Sequence, residues 1–484
     1  MHPTPLASLF DALALTRIIG SLLEQHPGAQ AYWVGGAVRD SLRTGQLPED
    51  IDLVLTRGTS TLSAKWLSRQ LADYLNASWV VLDDSWGIYR IVMPALCHPQ
   101  TVDIADALHD DIEQDLARRD LTVNAMALSV NDASFLDPYN GAGDLQSGTI
   151  RMLSESNLVE DPLRLLRVFR IAATIEAHQY DSQTLETVRR HAQNLHFSAV
   201  ERQHVELFKL LNAPAGFRHL QAMADSGLLD VILPELTPCR TIPGNTHHHL
   251  PLFEHSLEVA RQCEVILPTL PAQTQATLTE PLGGSLTRFG AVKLSGLLHD
   301  VGKPDTMAFK DDGRPTFYGH EALSAKLSDS VCARLKTSSV IMQRLHVLCR
   351  WHLYPCALGP QSSQKAIMKF FRRISDATPD LILLALADRF ATKGTAISAE
   401  DLATSEAHHR WLLKAYYETQ TIREQPRLLT GNDIMSILNL KPGRKVGEWL
   451  ARIEEAQHVG DLTTPDEARR WLLTAAHKLN TSNA

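Results

Sequence analysis

The sequence predicts an α+β chain, with its strands gathered in the first third and helices beyond. Two observations carry this. Short runs with strand character, Tyr32–Val34, Asp50–Leu55, Trp79–Leu82, Tyr89–Met93 and Thr101–Ala105, all fall before residue 106. Farther on, apolar residues recur at helical spacing, as in Leu165, Leu166, Phe169 and Ala173, with turn residues between such stretches.

Length and composition bound the rest. The chain has 484 residues, enough for three or four domains, and 44% apolar residues can bury ample core. No window approaches eighteen consecutive apolar residues, so no membrane span is expected. Met1-His2-Pro3-Thr4-Pro5-Leu6 lacks the basic start and long apolar run of a secretory signal, which points to the cytoplasm. The six cysteines are scattered without CxxC spacing and are read as reduced thiols. A formal charge of −8 excludes a surface coated in basic residues but permits a local basic groove.

In order, residues 5 to 26 read as an amphipathic helix leading into the run that ends at Val34. Gly35-Gly36 stops that run, and Val38-Arg39-Asp40 begins a helix. Paired glycines let backbone N–H groups approach a ligand closely, and a helix start adds positive partial charge, a combination that suits a triphosphate. On the next strand Asp50 and Asp52 share one face and Ile51 and Leu53 the other. Two carboxylates on one face suit Mg²⁺, and Asp103 on a later strand could supply a third. Leu62 to Leu75 reads as a helix, and an Asp-rich turn joins the strands at 79 and 89. Arg119, Asp120 and Asn124 follow; on a helix the last two stand one turn apart. Asp137 to Asp144 is a glycine-rich turn that closes this region.

Glu160-Asp161-Pro162 opens the next helix, with Asp161 as cap and Pro162 in its first turn. Asp161, Arg164 and Arg167 form one polar row at spacings of three. Two readings stand for this row: a salt bridge on a solvated face, or a base reader. Cytosine and adenine each offer an amino donor beside a ring-nitrogen acceptor, which Asp and Arg complement; uracil and guanine would leave both groups unpaired.

Taken together, GGxVRD, DxD, RRDxxxN and EDxxRxxR, in this order, resemble the class II tRNA nucleotidyltransferases and their bacterial poly(A) polymerase relatives. The resemblance is close over residues 25 to 215. It implies a nucleotidyltransferase head with a mixed sheet, followed by a mostly α-helical neck, body and tail. The expected divisions are a head at 1–150, a nucleotide-selecting neck at 151–235, an HD-type domain at 236–400 and a tRNA-binding tail at 401–484. It also implies that Asp50 and Asp52, with Asp103, serve catalysis through Mg²⁺. Gly35, Gly36 and Arg39 would hold the triphosphate; Arg119, Asp120 and Asn124 the sugar and phosphates; Asp161, Arg164 and Arg167 the base side. Ser198 to Leu211, with Glu201, Arg202 and Glu206, resembles the neck motif that supports this pocket. The implied partners are tRNA, CTP and ATP.

One departure stands out. Family members that complete CCA carry a flexible loop between the third acidic strand and RRDxxxN; here Asp103 runs almost directly into Arg118. In this family a missing loop resembles enzymes that add only the two cytidines, with a separate A-adding enzyme acting afterwards. A shorter or displaced loop doing the same work is the other reading.

Farther on, Leu298-His299-Asp300-Val301-Gly302-Lys303-Pro304 resembles the HD phosphohydrolases. His255, His299, Asp300, His320, His352 and Asp388 occur in that family's order and could ligate one or two divalent metals of unspecified identity. His247, His248 and His249 read as ordinary loop, and Leu267 to Leu282 as an exposed loop. Residues 427–450 resemble the tail of the same tRNA enzymes. Two alternatives follow from these motifs: a chain that is chiefly an HD phosphohydrolase acting on nucleotide or RNA-end phosphates, including 2′,3′-cyclic ones, and a poly(A) polymerase of the same fold.

Overall fold

A computed structural model describes residues 6, 9–10, 14–95, 97–244, 249–359, 361–392, 398–423, 427–459 and 461–481. They form two compact units. One holds the described residues up to Pro234 together with Arg334–Lys336; the other holds the remainder.

The first unit begins with α1 (Ala14–Glu24), β1 (Gln30–Val34), α2 (Gly36–Thr44) and β2 (Asp50–Thr56). Then come α3 (Ala64–Leu75), β3 (Ser78–Asp83), β4 (Ile88–Val92), β5 (Thr101–Asp106), α4 (Ile112–Ala117), β6 (Ala127–Ser129) and β7 (Phe135–Leu136). The sheet order is β3-β4-β5-β2-β1-β6-β7. β2 and β5 pair in parallel and every other neighbour pair is antiparallel, so the sheet is mixed.

Alternation along β2 explains the layers. Ile51, Leu53 and Leu55 join Trp33, Ile91, Val102 and Ile104 in a core roofed by α1 and α3, through Ile19, Leu23, Leu67 and Leu71. Trp33 stacks on Phe10, with ring centroids 5.5 Å apart. Val54 turns to the other face and packs with Ile112 and Leu116 of α4. The rest of that second face is where Asp50, Asp52, Asp103 and Arg90 stand. Ser63 caps α3 by accepting from the Trp66 N–H, and Asn76 ends it in the left-handed conformation.

Beyond the sheet come α5 (Gly141–Ser147), α6 (Glu155–Glu160), α7 (Arg164–Thr174), α8 (Ser182–His191) and α9 (Val200–Asn212). Asp137 to Asp144 is thus more than a turn: the Asp137 carboxylate accepts from the N–H groups of Gly141 and Ala142 and starts α5. Leu165, Leu166, Phe169 and Ala173 of α7 are buried, as the spacing predicts.

The second unit packs α10 (Leu252–Ile266), α11 (Ala272–Thr279), α12 (Arg288–Leu298), α13 (His320–Arg334), α14 (Ser339–Trp351), α15 (Thr378–Ala391) and α16 (Ala399–Arg423). The tail helices are α17 (Gly431–Leu438), α18 (Arg444–Val459) and α19 (Pro465–Thr481), with their own small core around Ile434, Ile453 and Leu472. The expectation of an exposed loop over 267–282 is corrected by α11, whose Thr274 and Leu278 are buried. Proline and threonine disfavour helix interiors, but Pro271 stands just before the first turn, where its missing N–H costs nothing. No helix among the described residues is long and apolar enough to cross a membrane.

Candidate functional site

The first unit holds a cleft of about 850 Å³. Gly35, Gly36, Arg39, Asp50, Asp52, Arg119, Asp120, Asn124, Asp161, Arg164 and Arg167 all line it. Asp103 is not among its walls, nor are Glu201, Arg202 and Glu206 of the supporting motif.

Gly35 shows why a side chain is excluded at the cleft floor. Its φ is 66° and its ψ −132°, a left-side backbone that favours glycine. A Cβ there would stand 2.7 Å from Arg119 Nη1 and 3.2 Å from an Asp52 oxygen.

A chain of hydrogen bonds crosses the floor. Arg39 is buried; its Nε and Nη2 donate to Asp40, and its Nη1 donates to Asn124 Oδ1 at 2.5 Å. Asn124 Nδ2 donates to Asp120 Oδ1 at 2.7 Å, and Arg167 Nε donates to Asp120 Oδ2 at 2.7 Å. Burial alone would raise the Asp120 carboxyl, but Arg167 and the Asn124 amide outweigh it and hold it well below the usual range. The helix expected to carry Asp120 and Asn124 is not there. α4 ends at Ala117, and only a short 3₁₀ turn covers Thr122–Asn124. The two side chains still meet because the turn folds them together, and Asp120 Oδ1 also accepts from the Leu121 N–H.

Asp50 and Asp52 stand on one face of β2. Asp50 accepts from the Thr101 hydroxyl at 2.5 Å. Asp52 accepts no hydrogen bond among the described residues. It is open to solvent in the cleft, yet the protein crowded about its carboxyl strips hydration and raises its pKa. Arg119 opposes that rise, while Asp103 and Asp50 add to it. An unpaired carboxylate among like charges fits a divalent cation. Asp103 faces Asp52 across the parallel register, but both its oxygens accept from Arg90 at 2.7 Å, so the expected third ligand is already engaged.

On the neck side, Asp161 caps the turn entering α7 by accepting from the Leu163 N–H at 3.3 Å, and also accepts from Arg202 at 3.0 Å. Arg164 does not pair with it. Its Nη1 donates to the carbonyls of Arg118 and Asn157, leaving Nε and Nη2 for a ligand among the described residues. The intrahelical salt bridge considered for this row is therefore absent. Three cleft cations escaped sequence reasoning: Arg118, Arg170 and Lys209. The spacing of three from Arg167 to Arg170 was the available signal for one of them.

The second unit gathers a different cluster. His255 comes from α10, His299 and Asp300 from the end of α12, His320 from the start of α13, His352 from just past α14 and Asp388 from α15. Three overlapping triads have ligand atoms within 4.8 Å: His255/His299/Asp300, His299/His352/Asp388 and Asp300/His320/His352. His299, His320 and His352 each bond a backbone carbonyl through Nδ1, at 2.9, 2.7 and 2.8 Å, which aims Nε2 inward. The buried His299 Nε2, His320 Nε2 and Asp300 Oδ1 have no hydrogen bond of proper geometry. Orphaned donor atoms converging on one point fit one or two divalent metals. Burial would raise Asp300, but His299 and Lys303 hold its carboxyl well below the usual range. Lys303, 2.5 Å from Asp300, was not singled out from the sequence. Gly302 permits this packing, since a Cβ would meet the His320 carbonyl at 2.6 Å. The cluster opens onto a cavity of about 760 Å³. His247 and His248 lie outside the described residues; His249 is exposed and no part of the cluster.

Comparison with known proteins gives the family. Residues 31–151 match the poly A polymerase head domain, 179–240 an RNA- and SrmB-binding segment of polymerase A, and 252–393 the HD domain. The A-adding tRNA nucleotidyltransferase of Deinococcus radiodurans is 34% identical over 456 residues, 92% of this chain and 95% of that protein. The CC-adding tRNA nucleotidyltransferase of Thermus thermophilus is 32% identical over 451 residues, 92% and 93% of the two chains. Among solved structures, the Thermotoga maritima CCA-adding enzyme complexed with tRNA shares the fold, with a TM-score of 0.62 and 20% identity over 96% of this chain and 95% of that one. The chain therefore belongs to the tRNA nucleotidyltransferase family, with the head domain that family shares with poly(A) polymerases.

Proposed function

We propose that this chain adds cytidines to the 3′ end of tRNA from CTP and leaves the terminal adenosine to a separate A-adding enzyme. One observation carries the restriction. The connection between β5 and α4 is not merely short; it is tied down. Asp110 accepts from the backbone N–H groups of Arg57 and Gly58. Asp106 accepts from the Arg57 guanidinium at 2.6 Å and from the Ala64 N–H at 2.9 Å. Asp111 caps α4 immediately afterwards. A segment so anchored has no length to act as the flexible element associated with ATP use. Overall identity does not separate the two activities, since both an A-adding and a CC-adding relative lie above 30%.

In this reading Gly35, Gly36, Arg39 and Arg119 receive the triphosphate. Arg119 lines the cleft, and its guanidinium suits phosphate oxygens. Asp120 and Asn124 keep Arg39 and Arg167 in register and line the sugar side. Asp161 and Arg164 read the base by the amino-donor and ring-acceptor pattern, so no nucleic-acid template is needed. Asp50 and Asp52 would hold Mg²⁺, which supplies activation of the RNA 3′-hydroxyl and neutralisation of leaving pyrophosphate. Asp103 is the weaker ligand because Arg90 holds it. With tRNA as its substrate, the protein would work in the cytoplasm.

The HD cluster would hold one or two divalent metals and support phosphoester hydrolysis. With relatives named for CC, A and CCA addition, a chiefly hydrolytic protein and a poly(A) polymerase are not favoured.

The test uses tRNA ending at the discriminator base, in C, and in C-C, each with Mg²⁺ and labelled CTP or ATP. C added to the first two and A refused by the third is the expected result. A added to the C-C substrate would show that the anchored connection does not limit the enzyme.

A further inference from the structure

The cleft reaches Asp50 and Asp52 and stops there. Arg90, Asp103 and Val80 are not among its walls. Yet they continue the same face of the sheet. Register places Asp52 opposite Asp103, Asp103 opposite Arg90, and Arg90 opposite Val80. These four side chains make one row running outward to the edge strand. Residues two apart on a strand share a face, so Ile88 and Val92 flank Arg90 on that side. Val80 and Val92 are exposed, at 41% and 38%. The row is therefore a carboxylate pair, a guanidinium and an apolar ledge, with Asp103 and Arg90 half-buried and Asp52, Val80 and Val92 exposed.

Phosphoryl transfer needs the attacking and leaving oxygens roughly in line across the phosphorus. With the triphosphate on the β1 side of Asp52, the attacking hydroxyl arrives from the β5 side, over this row. The RNA strand that carries it brings one phosphodiester anion within about a nucleotide's length of Asp52, into a field otherwise set by Asp50, Asp52 and Asp103. Arg90 is the cation in that row. Nε and Nη2 are taken by Asp103, which fixes the guanidinium plane, and Nη1 has no partner among the described residues.

We propose that this outer face binds the 3′-terminal nucleotide of the RNA substrate, with Arg90 Nη1 on its phosphodiester and the Val80/Val92 ledge under its sugar and base. The inference rests on the reading of Asp50 and Asp52 as the transfer site. Asp103 is then a positioning residue: it holds Arg90 flat against the sheet and keeps the cation from collapsing onto Asp52.

The experiment is an equilibrium one and needs no catalysis. The full chain is titrated, without nucleotide, against a fluorescent acceptor-stem RNA ending in C. Its last phosphodiester is either natural or a neutral methylphosphonate. Removing a charge-assisted hydrogen bond at a half-open site is expected to weaken wild-type binding about tenfold. Arg90→Ala should bind natural RNA about tenfold more weakly and be indifferent to the methylphosphonate, and Arg90→Lys should recover part of both effects. Asp103→Asn, which keeps the guanidinium, should remain sensitive to the methylphosphonate; a purely structural role of the pair would make it behave as Arg90→Ala. Arg90→Ala that stays as sensitive to the methylphosphonate as wild type overturns the proposal, as does Arg90→Ala that binds natural RNA as tightly as wild type. Transfer by Asp52→Ala would instead overturn the underlying site reading, so the two failures are distinguishable.

Discussion

The cleft of the first unit and the cluster of the second both concentrate acids, but they solve the problem of holding charge in opposite ways. The cleft is open and crowded with guanidinium groups. Its Asp120 and Arg167 are cross-paired and its Asp52 is left bare. The HD cluster is buried at the foot of its cavity, cationic partners are few, and the histidines are aimed by backbone carbonyls. An open site can exchange a highly charged ligand at each turnover, because solvent and side chains share the charge. A buried one suits a resident ion, because burial without it leaves ligand atoms orphaned.

The largest expected effect breaks the comparison in half. Asp52→Ala should lower CMP transfer by about a thousandfold or more and leave the metal bound by the second unit unchanged. Asp300→Ala should do the reverse: elemental analysis should show loss of that metal, with transfer within about twofold of wild type. Loss of both properties in either variant would mean that the sites are not independent.

Next comes base choice. Asp161→Ala should reduce the preference for CTP over UTP by about 10- to 100-fold, measured as the ratio of kcat/KM. An equal fall with all four nucleotides would end the base-reader reading.

Asp120→Ala should destabilise the chain by about 3 kcal/mol, because it strands Arg167 and loosens Asn124 and Arg39. The pH dependence sharpens this. The folded Asp120 carboxyl is depressed, so its contribution is present above its unfolded pKa of about 3.9 and is lost as pH falls through the folded value. Acid unfolding of wild type should therefore steepen below about pH 4, and that component should be missing in Asp120→Ala. Gly35→Ala should cost about 1–3 kcal/mol and weaken CTP binding, from the positive φ and the contact with Arg119. Far-ultraviolet melts with CTP titration would read both.

The smallest effect has the opposite sign. The Asp52 carboxyl is raised in the folded chain, so the stability it contributes is lost as pH rises from about 4 through its folded value. Asp52→Asn should raise the Tm at pH 7 by about 1–2 °C while abolishing transfer. A lower Tm would show that Asp52 is already neutralised by its neighbours.

Much of this protein was legible before any coordinates. Period-two alternation placed Asp50 and Asp52 on one face, because a strand leaves no other choice, and the same rule buried Ile51 and Leu53. The motif order singles out residues that the fold gathers, most of them in the cleft and six in the cluster of the second unit, since chemistry restricts residue types more tightly than it restricts folds. Other features were decided only by tertiary contacts. Asp103 looked like a metal ligand from its own strand. The antiparallel register with β4 set Arg90 against it, and register between distant strands is not written in either strand alone. Asp161 and Arg164 looked like partners at helical spacing. Arg202 from α9 takes the first, and backbone carbonyls of Arg118 and Asn157 take the second. Asp120 and Asn124 meet in a turn, not on a helix, because hydrogen bonds to Arg167 and Arg39 outweigh the local preference. Periodicity is a property of a segment, so the sequence determined which faces are polar and which are buried. Partners are a property of packing, so only the folded chain decided which charges are spent on one another and which remain for a ligand.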